Sequence, residues 1–144
     1  MHSAKDLSIQ NNGSDKTFIE QARRHQIIEA TVDTLAQYGY VNTSFARIAQ
    51  HVGISPSLIS YHFKNKEELT NEVFNSIALR RVNYVTERVE RAASATDKLR
   101  VALESDLANM GTQPKYFHAL NEILFSMRGK NGALTYLGDG HITS

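Results

Sequence analysis

The segment Ser55-Pro56-Ser57-Leu58-Ile59-Ser60-Tyr61-His62-Phe63-Lys64-Asn65-Lys66 holds the groups with the clearest chemical use in this chain. Ser55, Ser57 and Ser60 carry short hydroxyls, Tyr61 an aromatic hydroxyl and His62 an imidazole. Such groups reach base edges and phosphate oxygens without immobilising long side chains. Lys64 and Lys66 follow at once and suit phosphate neutralisation, as does Arg47 a little upstream. The pattern does not suit bond-breaking chemistry. The chain has no GxSxG, no phosphate-cradling glycine loop and no HExxH. His51 and His62 stand eleven residues apart, and no histidine–carboxylate pair has zinc spacing. These residues read as a binding surface for a polyanion, with double-stranded DNA the first candidate, no catalytic residue and no cofactor or metal.

Positioning such a surface requires helices, and the apolar periodicity supplies them. A polar, aperiodic stretch, residues 1–15, is expected to be a disordered tail. A first helix is expected from about Thr17 to Tyr38 on a stripe of Ile27, Ile28, Thr31, Leu35 and Tyr38, stopped by Gly39. A second should span about 43–51, capped by Asn42 or Thr43 and ended by Gly53, with Phe45, Ile48, Ala49 and Val52 inward. Ser55 as cap and Pro56 at the first helical position open a short third helix over 56–62. Asn65 caps a long fourth helix, with Glu67 and Glu68 in the dipole-favoured first turn, fading near Ala92. A fifth starts at Ser94 or Thr96 and carries Leu99, Ala102, Leu103, Leu107 and Met110 to Gly111. A sixth runs from Pro114 to about Arg128. No strand pattern of useful length occurs, so the fold class is all-α.

Composition narrows the classes further. The chain has 144 residues, 41% hydrophobic and 22% charged, enough for a buried core. It has no cysteine, which excludes disulfides, thiolate metal sites and thiol catalysis. No apolar run is long enough to span a membrane, and residues 1–15 lack a signal-peptide core, so a cytoplasmic location is expected. The net charge of +1 would argue against a DNA binder. It hides an asymmetry: Lys16 to Lys66 holds six basic residues against three acids, whereas the remainder from Glu67 holds nine against ten.

The order and spacing then become specific. Tyr38-Gly39-Tyr40, Thr43, Ile48-Ala49, Val52-Gly53-Ile54-Ser55, Ile59, His62-Phe63, Lys66-Glu67 and Leu69 together resemble the DNA-binding domain of TetR-type (tetracycline-repressor-like) transcriptional regulators. The likeness covers about residues 20–70. It departs where many members have tyrosine at the position of Ser60; here the aromatic stands at Tyr61. The order Ile59-Ser60-Tyr61-His62-Phe63 is similar to a choline-responsive branch of that family, although five residues assign no effector. The resemblance implies a helix-turn-helix head over 16–70. Thr43 and Arg47 would contact phosphate or base from the second helix. Ser55, Pro56, Ser57, Ser60 and Tyr61 would enter the major groove, and His62, Lys64 and Lys66 would hold the backbone. It also implies a homodimer on a pseudo-palindromic operator, released by a small-molecule effector bound within 71–144.

Other readings stand beside these. Tyr61 and His62 also suit packing on the first helix, and Arg47 suits a solvated surface. Phe117, Leu120, Leu124 and Met127, with Met110 and Phe125 nearby, suit an effector pocket or plain core equally. A helical protein-interaction module without DNA binding is the competing function. Regulators of this type usually end in two further long helices that pair the subunits. Here the sixth helix gives way to GKNGALTYLGDGHITS, so the second domain is expected to be incomplete.

Overall fold

The computed structural model describes residues 4–126, with side chains from Gly13 onward. It contains six helices and, among the described residues, no strand: α1 (Ala4–Tyr38), α2 (Phe45–Val52), α3 (Pro56–His62), α4 (Lys66–Val89), α5 (Ala95–Thr112) and α6 (Pro114–Ser126). The fold is all-α, as the periodicity indicates.

One stretch of α1 is the hub. Ile27, Ala30, Thr31, Val32, Thr34 and Leu35 are all buried, a face too broad for one partner. α2, α4 and α6 each pack on it. Around it close Ile48 and Ala49 of α2, Ile59 of α3 and its C-cap Phe63, Leu69, Val73 and Ile77 of α4, and Ala119 and Ile123 of α6. The two buried threonines cost little, because each donates its hydroxyl back into α1: Thr31 to Ile27 O at 2.7 Å and Thr34 to Ala30 O at 2.9 Å.

The caps follow the local sequence. Ser55 accepts from Leu58 N, and Pro56 follows at the first helical position. Asn65 accepts from Glu68 N at 2.8 Å, and Ser94 from Asp97 N at 3.1 Å. Gly53 reverses the chain between α2 and α3 at φ +79°, and Gly39 leaves α1 at φ +78°, a region that disfavours any side chain.

Four expectations need correction. Residues 4–15 continue α1 rather than forming a disordered tail. Once the buried turns around Ile27 nucleate the helix, each upstream residue gains a backbone hydrogen bond without a new nucleation cost. α2 begins two residues late: Ser44 is its cap, accepting from Arg47 N at 3.2 Å. Thr43 is instead buried, with its hydroxyl on Gly39 O at 2.8 Å. Finally, the leucines whose spacing marks α5 do not form its buried face: Leu99, Leu103 and Leu107 are 64%, 61% and 69% exposed. Val82 of α4 is also exposed. α5 turns its small-residue face, Ala102 and Ser105, inward, and Arg81 of α4 grips Asp106 through Nε and Nη2.

The two left-handed glycines differ in surroundings, which makes them a paired test. A Cβ at Gly53 would meet nothing within 4 Å, whereas one at Gly39 would lie 3.1 Å from Glu122 Oε2. Gly53→Ala should therefore cost only the backbone term, about 1–2 kcal/mol. Gly39→Ala should cost about 1 kcal/mol more, through the disturbed carboxylate. Urea unfolding of both variants checks this; equal losses would show that Glu122 contributes nothing there.

Candidate nucleic-acid interface

α3 is bounded by its caps, Ser55 before it and the extended Phe63 after it, and its two faces differ. Ile59 points inward and is fully buried, and Phe63, the C-cap, is 1% exposed. The guanidinium of Arg24 stacks over the Phe63 ring at 4.4 Å and donates to the His62 carbonyl at 2.6 Å. Arg24 thus pins the end of α3 to α1. The opposite face is open: Pro56, Ser57, Ser60 and Tyr61 are exposed, Tyr61 by 70%. Arg47 of α2 and Lys64 just after α3 are exposed as well.

The expected contact residues therefore divide. Arg47, Pro56, Ser57, Ser60, Tyr61 and Lys64 are all exposed. Arg47 rests on the Tyr38 ring at 4.1 Å, which pre-sets its position. Ser55 is exposed, but its hydroxyl oxygen serves as the α3 cap. Tyr61 packs edge-on against His62 at 5.0 Å, and its hydroxyl reaches Glu20 Oε1 at 3.4 Å. His62 is half-buried. Its imidazole is held below the ordinary value of 6.5 by burial first and by the Arg24 charge second, with Glu20 opposing. It therefore presents a neutral ring at neutral pH, not a cation.

Two expected contacts turn away. Thr43 is buried under the α1–α2 turn, as described above. Lys66 is half-buried: its ammonium donates to the Tyr40 carbonyl and lies 4.0 Å from the centroid of the Tyr40 ring. Burial lowers its pKa. The reason in both cases is a long-range contact that local pattern does not encode. Arg24, which from sequence suits a solvated face, is the converse miss. Its only signal is that it precedes the buried stripe by one turn.

The geometry has a known counterpart. Residues 27–73 match the family described as "Bacterial regulatory proteins, tetR family". Over that span the head is similar to the DNA-binding domain of TetR-type regulators. Relatives agree: the chain is 30% identical over 86 residues to the HTH-type transcriptional regulator BetI of Cronobacter sakazakii, covering 60% of this chain and 43% of that protein. It is 30% identical over 78 residues to the fatty acid metabolism regulator protein of Bacillus subtilis, covering 54% and 40%. The chain thus spans less than half the length of these curated relatives. Among solved structures, a TetR-like transcriptional regulator from Rhodococcus sp. RHA1 superposes with a TM-score of 0.66 at 27% identity, over 73% of this chain and 57% of that one. A TetR family regulator from Marinobacter aquaeolei VT8 shares the fold, with a TM-score of 0.72 at 20% identity over 80% and 61%.

Behind the head, the junction of α4, α5 and α6 is tightly closed around Phe117 and Leu120. Phe117 and Leu120 line a space of about 30 Å³ with Ile77, Met110 and Tyr116, room for little more than a water molecule. Leu124 is half-buried, and Met127 lies outside the described residues. Arg80, Asn109 and Gln113 separate this space from an open polar groove of about 550 Å³ lined by Tyr84, Glu87 and Glu90. Arg80 covers the Tyr116 ring at 4.3 Å and donates to its hydroxyl at 3.1 Å. That phenol, pushed up to about 12 by burial and by Glu29, stays protonated and donates to Glu29 Oε2 at 2.7 Å.

The depressed imidazole of His62 gives a pH prediction. Its folded pKa lies below 6.5, so the unfolded chain takes up the proton first. Stability must then fall as pH drops below about 6.5 and level off beneath the lowered value. His62→Gln removes that step. Urea midpoints at about pH 7.5 and 5.5 should fall less for the variant than for the wild type.

Proposed function

We propose that this chain is a DNA-binding transcriptional regulator, most simply a repressor, acting in the cytoplasm as a homodimer on a pseudo-palindromic operator. The observation that carries the reading is the two-faced α3: Ile59 and the neighbouring Phe63 anchor it, while Pro56, Ser57, Ser60 and Tyr61 are exposed. A helix so exposed, presenting small hydroxyls and an aromatic hydroxyl, has the size and polarity of the B-DNA major groove. Arg47 and Lys64, both exposed, would supply the phosphate contacts beside it. Two such heads about one duplex turn apart would read two half-sites.

Release by a small molecule is part of the same proposal. Its seat is the junction of α4, α5 and α6 around Phe117 and Leu120, approached from the polar groove. Entry requires Arg80 to leave Tyr116, since the closed space is too small for any metabolite. Ligand that binds only the opened form shifts the population toward it in proportion to its differential affinity.

Anisotropy titrations of a duplex of about 30 bp, between about 50 and 200 mM salt, test the reading. Lys64→Ala should weaken binding and flatten the log–log salt slope by about one unit. Lys66→Ala should lower the urea midpoint and leave the slope near wild type, because its ammonium is committed to Tyr40. Absence of salt-dependent binding by the wild type would sink the DNA reading and favour a protein-interaction module.

A further inference from the structure

α6 lies along α1 with Ala119 and Ile123 fully buried between them. Its polar side chains on that side all reach the head. Lys115 Nζ meets Asp33 Oδ1 at 3.0 Å, and the other oxygen of Asp33 meets His51 of α2 at 3.2 Å. Tyr116 meets Glu29 at 2.7 Å. Two turns further on, Glu122 Oε2 accepts from the backbone N–H of Tyr40 at 2.8 Å.

The Tyr40 peptide is the pivot between α1 and α2. It follows the left-handed Gly39, and its carbonyl closes the turn by accepting from Thr43 N at 3.2 Å. That carbonyl also accepts from Lys66 at the start of α4. The turn is thus held from one side by α6 and from the other by α4. α2 carries its setting to α3, against which it packs.

We infer that Glu122 is a positioning residue for DNA recognition: a carboxylate from the second domain that fixes the α1–α2 turn at Tyr40 and thereby the attitude of α3. The inference rests on the DNA-binding reading above. It runs against simple electrostatics, since an acid beside a basic head should weaken DNA binding. Position and charge therefore predict opposite signs.

The test uses the full chain as wild type and as Glu122→Ala, Glu122→Asp and Glu122→Gln. Two quantities are read: hydrogen exchange of the Tyr40 amide by NMR, and the Kd for a 30-bp duplex (about that length) at low salt. Alanine loses the acceptor and aspartate cannot reach, so in both the Tyr40 amide should exchange about tenfold faster and Kd rise about fivefold. Glutamine keeps an acceptor at the same reach and should hold both within about twofold. If the alanine variant does not fold, the aspartate–glutamine pair carries the comparison. Wild-type exchange and affinity in all variants would overturn the proposal. So would tighter binding in alanine and glutamine alike, which is the signature of charge alone. A wild type that binds no duplex overturns the DNA reading and the proposal with it; normal wild-type binding beside unaltered variants overturns only the role of Glu122.

Discussion

The burial of residues 27–35 of α1 is the constraint on which the other elements depend. Ile27, Val32 and Leu35 lose essentially all contact with water, and each such side chain contributes on the order of 1.5–3 kcal/mol. That burial is shared among α2, α4 and α6, so no helix of the head completes the core alone. Interiors of this kind are packed as densely as organic crystals. A shift of one bounding helix must then be taken up by the others, which is why head and second domain form one mechanical unit through α1.

This constraint changes how the positive charge of the head is understood. Six basic residues between Lys16 and Lys66 suggest a surface built for phosphate. Three of them are arranged over rings: Arg24 on Phe63, Arg47 on Tyr38 and Lys66 on Tyr40. Arg24 and Lys66 also serve backbone carbonyls, at the end of α3 and in the α1–α2 turn. Their charge still contributes to the long-range field that draws a polyanion in. Their donors, however, hold protein. In the proposed DNA reading, the direct contacts would fall to Lys64 and the exposed side chains of α3, Ser60 and Tyr61 exchanging their hydroxyl contacts to Pro56 O and Glu20 for them. Counting charges therefore overstates the contact surface while describing the field correctly.

The parts legible in the sequence are those set within one or two turns of chain. Ser55-Pro56, Asn65 and Gly53 announce caps and a reversal because their chemistry acts on backbone groups two to four residues away. The length of α3 and its inner residue Ile59 follow from the same local logic. The misses share a different cause. Lys66 and Glu122 meet at Tyr40 across 26 and 82 residues of chain, and nothing near either one signals it. Thr43 looks like a cap until the turn buries it, leaving Ser44 to do that work. On α5 the leucine spacing is helical and correctly marks a helix. Periodicity cannot say which face is inward when small residues at Ala102 and Ser105 permit the closer approach to α4 and α6.

The same packing bears on how a signal in the second domain can matter at α3. Around Phe117 and Leu120 there is no preformed cavity of metabolite size, and Arg80, Tyr116 and Glu29 form a chain of contacts from α4 through α6 to α1. Anything that wedges α4, α5 and α6 apart must first undo part of that chain. α6 is also the helix that reaches the α1–α2 turn, so opening the junction and keeping the turn set draw on the same rigid element. In the proposed mechanism the coupling would be reciprocal by necessity: whatever stabilised the set of α3 on DNA would raise the cost of opening the junction, and by the same factor that opening would lower affinity for DNA.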